Sequence, residues 1–223
     1  MERQQTTSPP ADRHYLRLAE CLIVFFLVPV LLYFFRHQLA HRVIPLVLVL
    51  AAVCAYYLLR SRNFDRRRLW SLQGLSRQLR SMILIGLLPA LLLTLATYLF
   101  FPQHFLAFIN RSPGLWLLVL LLYPLLAAYP QELIFRGFFF DRYRSLFPNQ
   151  TAMIVGSALS FGLAHCLYGN WIAPVLSAAG GIIFGYRYLR SQSLVAAGLE
   201  HALWGNFLFF IGLGWFFYSG SIR

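Results

Sequence analysis

Seven stretches of this chain are apolar, nearly free of charge and each close to the ~20 residues that a helix needs to cross a bilayer. They run from Leu16 to Phe35, Val43 to Leu59, Met82 to Phe101, Leu115 to Phe140, Thr151 to Tyr168, Trp171 to Leu189 and Ser193 to Tyr218. Lipid offers the backbone no hydrogen bonds, so a spanning segment must satisfy its own N–H and C=O groups, as a helix does. The expected fold is all-α: a polytopic membrane helix bundle of about seven (six to eight) transmembrane helices. Pro124 and Pro130 inside the long fourth stretch predict a kink or a break into two pieces. Charged residues are 12% of the 223, about half the share of a soluble domain. That excludes a disordered chain, a collagen-like fibre and a soluble nucleic-acid-binding domain, despite a formal charge of +12.

The basic excess instead bears on topology. All 19 basic residues are Arg. With the N-terminus inside, the cytoplasmic segments hold Arg3, Arg13, Arg17, the seven arginines from Arg60 to Arg80, Arg142, Arg144, Arg187 and Arg190. The outer segments hold Arg36, Arg42, Arg111 and Arg223. Fourteen against four favours an N-in integral membrane protein, expected in a bacterial cytoplasmic membrane. The Arg60–Arg80 stretch, with Arg66-Arg67-Arg68 and Trp70, reads as a topology-setting loop, with an interfacial helix on anionic lipid as the alternative. The first stretch runs into Arg36, His37, His41 and Arg42 with no small-residue cleavage site, and reads as a retained anchor. Cys21, Cys54 and Cys166, at unrelated spacings, read as small hydrophobes. Residues 1–80 are expected to form an N-terminal transmembrane pair with a basic loop, and residues 81–223 the functional core.

A charge at mid-bilayer costs at least ~2.5–3.5 kcal/mol on insertion scales, so each one asks for a reason. Glu2, Asp12, Asp65 and Asp141 fall in water-facing segments and Glu20 near a boundary, which leaves Glu132 and Glu200 well inside spans. Three clusters hold the intramembrane polarity: Gln131-Glu132 with Arg136, Phe161 with His165, and Glu200-His201 with Asn206. Glu132 and Arg136 are i,i+4 and share a helix face. Alone they could be a neutral pair that lets the span insert, and His165 alone could be a hydrogen-bonded core histidine. Together, two imidazoles and two carboxylates on three spans read as one convergent site. A carboxylate and a neutral imidazole can take a proton from water and return it to a leaving amine. A second imidazole or an amide can donate to the oxyanion.

At these residues the chain resembles the CPBP family of CAAX-protease and bacteriocin-processing intramembrane proteases, also called Abi. The family pattern is Glu-Glu-x-x-x-Arg, then Phe-x-x-x-His, then His-x-x-x-Asn or Asp, and the likeness covers roughly residues 115–210. The resemblance implies an all-helical core, a cytoplasm-facing cavity and glutamate-dependent peptide hydrolysis without a metal or other cofactor. It implies that His165 shares the catalytic water, His201 lies on the oxyanion side and Arg136 orients the acidic motif. Glu132 matches the second Glu of the pair, while the first is Gln131, which cannot accept a proton. Glu132 or Glu200 would then supply the base. Gly205 stands at i+4 from His201, and Asn206 follows at i+5, ~140° around a regular helix. Only a π-bulge would return Asn206 to an oxyanion role.

The leading expectation is an intramembrane endopeptidase acting on a membrane-associated peptide or protein. A non-catalytic membrane scaffold or immunity protein is the alternative, supported by Gln131, and a proton-coupled carrier is a third. A metal site from His165, His201 and a Glu remains open on ligand chemistry, although no HExxH helix is present. Gly181-x-x-x-Gly185 predicts close helix packing within the core rather than dimerisation. Phe161 and Trp204 read as packing around the site.

Overall fold

The computed structural model describes residues 11–39 and 42–218, so Glu2, Arg3, His41 and Arg223 lie outside the described residues. Among the described residues there is no strand. Seven helices are long and apolar enough to cross a membrane. They are α1 (Asp12–Phe34), α2 (Val43–Arg60), α3 (Leu75–Phe100), α4 (Pro113–Leu146), α5 (Gln150–Tyr168), α6 (Ile172–Ser191) and α7 (Leu194–Ile211). All seven expected spans are present. α3 starts earlier than hydropathy suggested, because Gly74 at φ +68° turns the chain straight into a helical turn bearing Arg77 and Arg80. The expected division at residues 80/81 therefore falls inside one continuous helix. α7 ends at Ile211 rather than Tyr218, since Gly212 at φ +105° leaves helical geometry and a 3-10 turn, Leu213–Phe217, follows.

The helix caps are those the sequence supplies. Asn149 accepts from the Ala152 N–H at 2.8 Å to start α5, and Ser193 accepts from the Ala196 N–H at 3.1 Å to start α7. α4 is neither broken nor regular. It carries two π-helical turns, Pro124–Ala128 and Leu133–Phe138, on either side of Tyr129–Glu132. Each leaves a carbonyl that a regular helix would have paired. Pro124 has no N–H to offer Leu120, and Asn206 of α7 donates to that Leu120 carbonyl at 3.2 Å instead. The Phe139 N–H bonds Ile134 and Arg136, and Ser157 of α5 takes the Phe135 carbonyl at 2.7 Å. Two neighbouring helices thus hold α4 in its distorted form.

α5 and α6 pack through small residues. A Cβ on Gly162 would lie 2.8 Å from the Pro174 carbonyl, and one on Gly181 2.8 Å from the Ala158 Cα. The small face of α6 is spent inside the core. The N-terminal pair is packed in as well. Phe25 of α1 meets Phe139 edge-on at 4.9 Å, Glu20 pairs with Arg142 at 2.6 Å, and Leu58 of α2 abuts Gly137. Within the Arg60–Arg80 stretch, Arg66–Leu69 forms one 3-10 turn capped by Asp65, and Arg77 and Arg80 belong to the first turns of α3.

The bundle has two chemically distinct ends. At one, Ser61 donates to Asp141 and Ser193 to the Ser71 carbonyl, which gathers the loops bearing Arg60–Arg80, Arg142, Arg144 and Arg190. At the other, Asn170 donates to the Phe216 carbonyl and the Leu106 N–H to Ile211.

Candidate active site

The distorted stretch of α4 delivers Glu132 and Arg136 into the protein interior, where both are completely buried. Arg136 Nη1 donates to Glu132 Oε1 at 2.9 Å, and Nη2 donates to the Gly181 carbonyl at 3.1 Å. Its guanidinium lies 4.6 Å above the Phe161 ring, so three helices fix it. An unpaired charge here would be costly, and each partner compensates the other.

His201 of α7 joins the same carboxylate. Its Nδ1 lies 2.8 Å from Glu132 Oε1. A carboxylate paired with arginine can only accept, so Nδ1 carries the proton and donates. In the neutral ring Nε2 then holds a lone pair, and the Tyr123 hydroxyl, 3.1 Å away, donates to it. The imidazole stacks on Phe184 at 4.7 Å, which sets its plane.

His165 sits where α5 tightens into its last, 3-10 turn. Its Nδ1 donates to the Phe161 carbonyl at 2.7 Å, leaving Nε2 free to accept. Phe161 stands between the groups, with ring centroids 4.6 Å from His165 and 5.5 Å from His201. Both imidazoles line one cavity of about 330 Å³, whose wall is otherwise mostly apolar, with Pro89 and Leu92 of α3, Ile183 of α6 and Phe209 of α7 among its residues. Tyr123 lines it too.

The remaining expected site residues are placed elsewhere. Gln131 does not line the cavity, and its Oε1 is buried with no hydrogen-bond partner among the described residues. Glu200 does not line the cavity: Arg187 grips it at 2.7 and 3.0 Å and also reaches Gln78 of α3. α7 is regular through 201–206, so Asn206 points to Leu120 as the helical angle requires, away from His201. Among the described residues, no three His, Cys, Asp or Glu side chains gather as metal ligands.

The cavity lies off the middle of the bundle. His165 is in the last turn of α5, Phe217 follows α7, and the α3 and α7 contributions come from the middle to the arginine-poor ends of those helices. The cavity thus occupies the half remote from the arginines.

Residues 113–218 match the sequence model of the family described as type II CAAX prenyl endopeptidase Rce1-like. That segment is similar to this CAAX prenyl endopeptidase family. No curated protein and no solved structure matches the chain. The CAAX endopeptidase-like domain thus spans α4 to α7 and the turn after them, and contains Glu132, Arg136, His165 and His201. It agrees with the resemblance carried by those motifs, and together with the seven apolar helices it supports an integral membrane protein with a segment similar to a protease family. α3 lies outside the matched segment yet walls the cavity. Sequence reasoning missed Tyr123, which composition counts as one more apolar residue of α4. The one available signal was Gly205, since a Cβ there would overlap the Tyr123 ring.

Proposed function

We propose that this chain is an intramembrane endopeptidase that hydrolyses a peptide bond of a membrane-associated peptide or protein in the cavity between α3 and α7. One observation carries the reading: two imidazoles from different helices line a single apolar cavity, and one of them is held by a buried carboxylate. A carboxylate behind an imidazole selects its tautomer and stabilises the imidazolium that forms when a proton is taken. In this reading the Glu132–His201 pair removes the proton from water and returns it to the leaving amine. His165 Nε2 accepts the water's other O–H and orients it. Arg136 positions Glu132. With the carboxylate acting through His201, Gln131 needs no proton-accepting role. The lone pair on His201 Nε2 suits a base better than an oxyanion donor. Glu200 and Asn206 serve the fold.

A second reading, a non-catalytic membrane scaffold, draws on one observation: Glu132 does not reach the cavity and its charge is already met by Arg136. Both are tested by reconstituting the purified protein with fluorogenic membrane peptides, farnesylated and unprenylated at a C-terminal CAAX cysteine, and with transmembrane peptides bearing flanking segments. Cleavage by the wild type that is lost in His165→Ala, His201→Ala and Glu132→Gln supports the peptidase. Folded wild type that cleaves none of the panel favours the scaffold.

A further inference from the structure

The position of the cavity along the bundle bears on where its substrate comes from. At one end of the bundle stand Arg13, Arg17, the seven arginines from Arg60 to Arg80, Arg142, Arg144, Arg187 and Arg190; at the other stand Arg36, Arg42 and Arg111. Short arginine-rich loops stay on the cytoplasmic side of a membrane, because translocating them is unfavourable. The cavity sits in the opposite half. Its residues in α6 begin at Leu176, in the second turn from the arginine-poor end, and those in α7 extend from His201 to Phe209, near the last turn. The arginine-rich end is closed by packing. Arg187, Glu200 and Gln78 knit α6, α7 and α3 together, Ser193 bonds Ser71, and Tyr129 donates to the Leu69 carbonyl at 2.6 Å. Leu69 and Phe64 of that loop are buried.

We infer that the site takes its substrate from the extracytoplasmic side: a membrane-bound peptide segment exposed at that face, apolar around the scissile bond to match the leucine, isoleucine and phenylalanine walls. This deepens the endopeptidase reading and rests on it. A substrate presented only at the cytoplasmic surface would have to pass the closed, arginine-bearing end.

The test has two arms on the full chain in sealed vesicles. In the first, Gln73→Cys and Gln103→Cys, both at exposed positions, are labelled against the wild-type background with a membrane-impermeant maleimide. Labelling of Gln103→Cys from the outer face of right-side-out vesicles is expected, and of Gln73→Cys only after inversion. The reverse pattern overturns the inference. In the second arm, the fluorogenic peptides are supplied to one face of oriented proteoliposomes. Cleavage from the Gln103 face supports the inference, and cleavage confined to the Gln73 face overturns it while leaving the peptidase intact. Absence of cleavage from both faces overturns the endopeptidase reading itself and the substrate assignment with it.

A separate observation points to a further catalytic residue. Glu132 Oε1, His201 Nδ1 and Nε2, and Tyr123 Oη form a carboxylate–imidazole–hydroxyl chain with links of 2.8 and 3.1 Å. A tyrosine that merely packs also needs a partner for its hydroxyl. This partner is the imidazole that the carboxylate orients, and Gly205 is kept free of a Cβ where the ring passes. We propose that the Tyr123 hydroxyl relays protons between the reacting groups and His201. As water oxygen bonds the carbonyl carbon, its proton passes to Oη while the tyrosine proton passes to Nε2. When the C–N bond breaks, Nε2 returns its proton to Oη and the tyrosine proton goes to the amine nitrogen, so no phenolate accumulates.

Tyr123→Phe is expected to lower kcat by about 10²-fold or more with KM little changed. It should also turn a curved dependence of kcat on deuterium fraction, the mark of two protons in flight, into a straight one. Replacing Tyr123 with 3-fluorotyrosine keeps the shape, alters hydroxyl acidity and should change kcat. An active wild type with unchanged kcat in both variants overturns the relay alone, and an inactive wild type overturns the peptidase as well.

Discussion

Nδ1 of His201 lies 2.8 Å from Oε1 of Glu132, across 69 residues of sequence, and that oxygen is also the one that Arg136 holds. One carboxylate oxygen therefore serves both an ion pair and an imidazole, and both members of the ion pair are fully buried. The consequence for stability is asymmetric, because removing one partner strands the other's charge.

Arg136→Gln is expected to destabilise the protein by about 3–5 kcal/mol, read as thermal unfolding in detergent. Adding Glu132→Gln should recover part of that loss, since the double variant buries no lone charge. Independent, additive losses would show that the pair is not coupled.

Glu200→Gln separates structure from chemistry. Its carboxylate pairs with Arg187 at 2.7 Å, with both side chains buried. The substitution should cost about 3 kcal/mol in unfolding measurements, yet leave kcat/KM per folded molecule unchanged. Loss of activity as complete as in His165→Ala would return Glu200 to the chemistry.

Asn206→Ala orphans the Leu120 carbonyl that Pro124 cannot serve. Unfolding should become easier by about 1–3 kcal/mol. In a Pro124→Ala background, where residue 124 regains an N–H, the same substitution should cost much less. Equal costs in the two backgrounds would disprove the link.

Gly181→Ala should destabilise by about 1–3 kcal/mol, because the new Cβ would lie 2.8 Å from the Ala158 Cα and 3.3 Å from Arg136 Nη2. Gly114→Ala, with nothing within 4 Å of the new atom, is the control and should be neutral or slightly stabilising. Indistinguishable melting curves for the two would contradict the packing described here.

Much of this protein could be read before any coordinates. The seven spans follow from apolar length, because a backbone in lipid has no partner but itself. Glu132, Arg136, His165 and His201 stood out because charged and titratable groups are scarce in such spans. The pairing of Glu132 with Arg136 followed from helical spacing alone, and the structure keeps it through the π-turn. The divergence of Asn206 from His201 followed from the same geometry.

What remained hidden depended on how separate helices are rotated and stacked. Spacing within α7 could not reveal that Arg187, thirteen residues before Glu200, claims that carboxylate. Nor could it reveal that Tyr123, in a helix of leucines, turns its hydroxyl to His201, or that Ser157 and Asn206 mend the two irregular turns of α4. Residue order and the cost of burying charge are enough to mark which groups need a purpose. Which purpose each one serves emerges from helix packing, because a side chain's partner across helices is set by the mutual rotation and depth of the helices, to which the order of residues along one helix is blind.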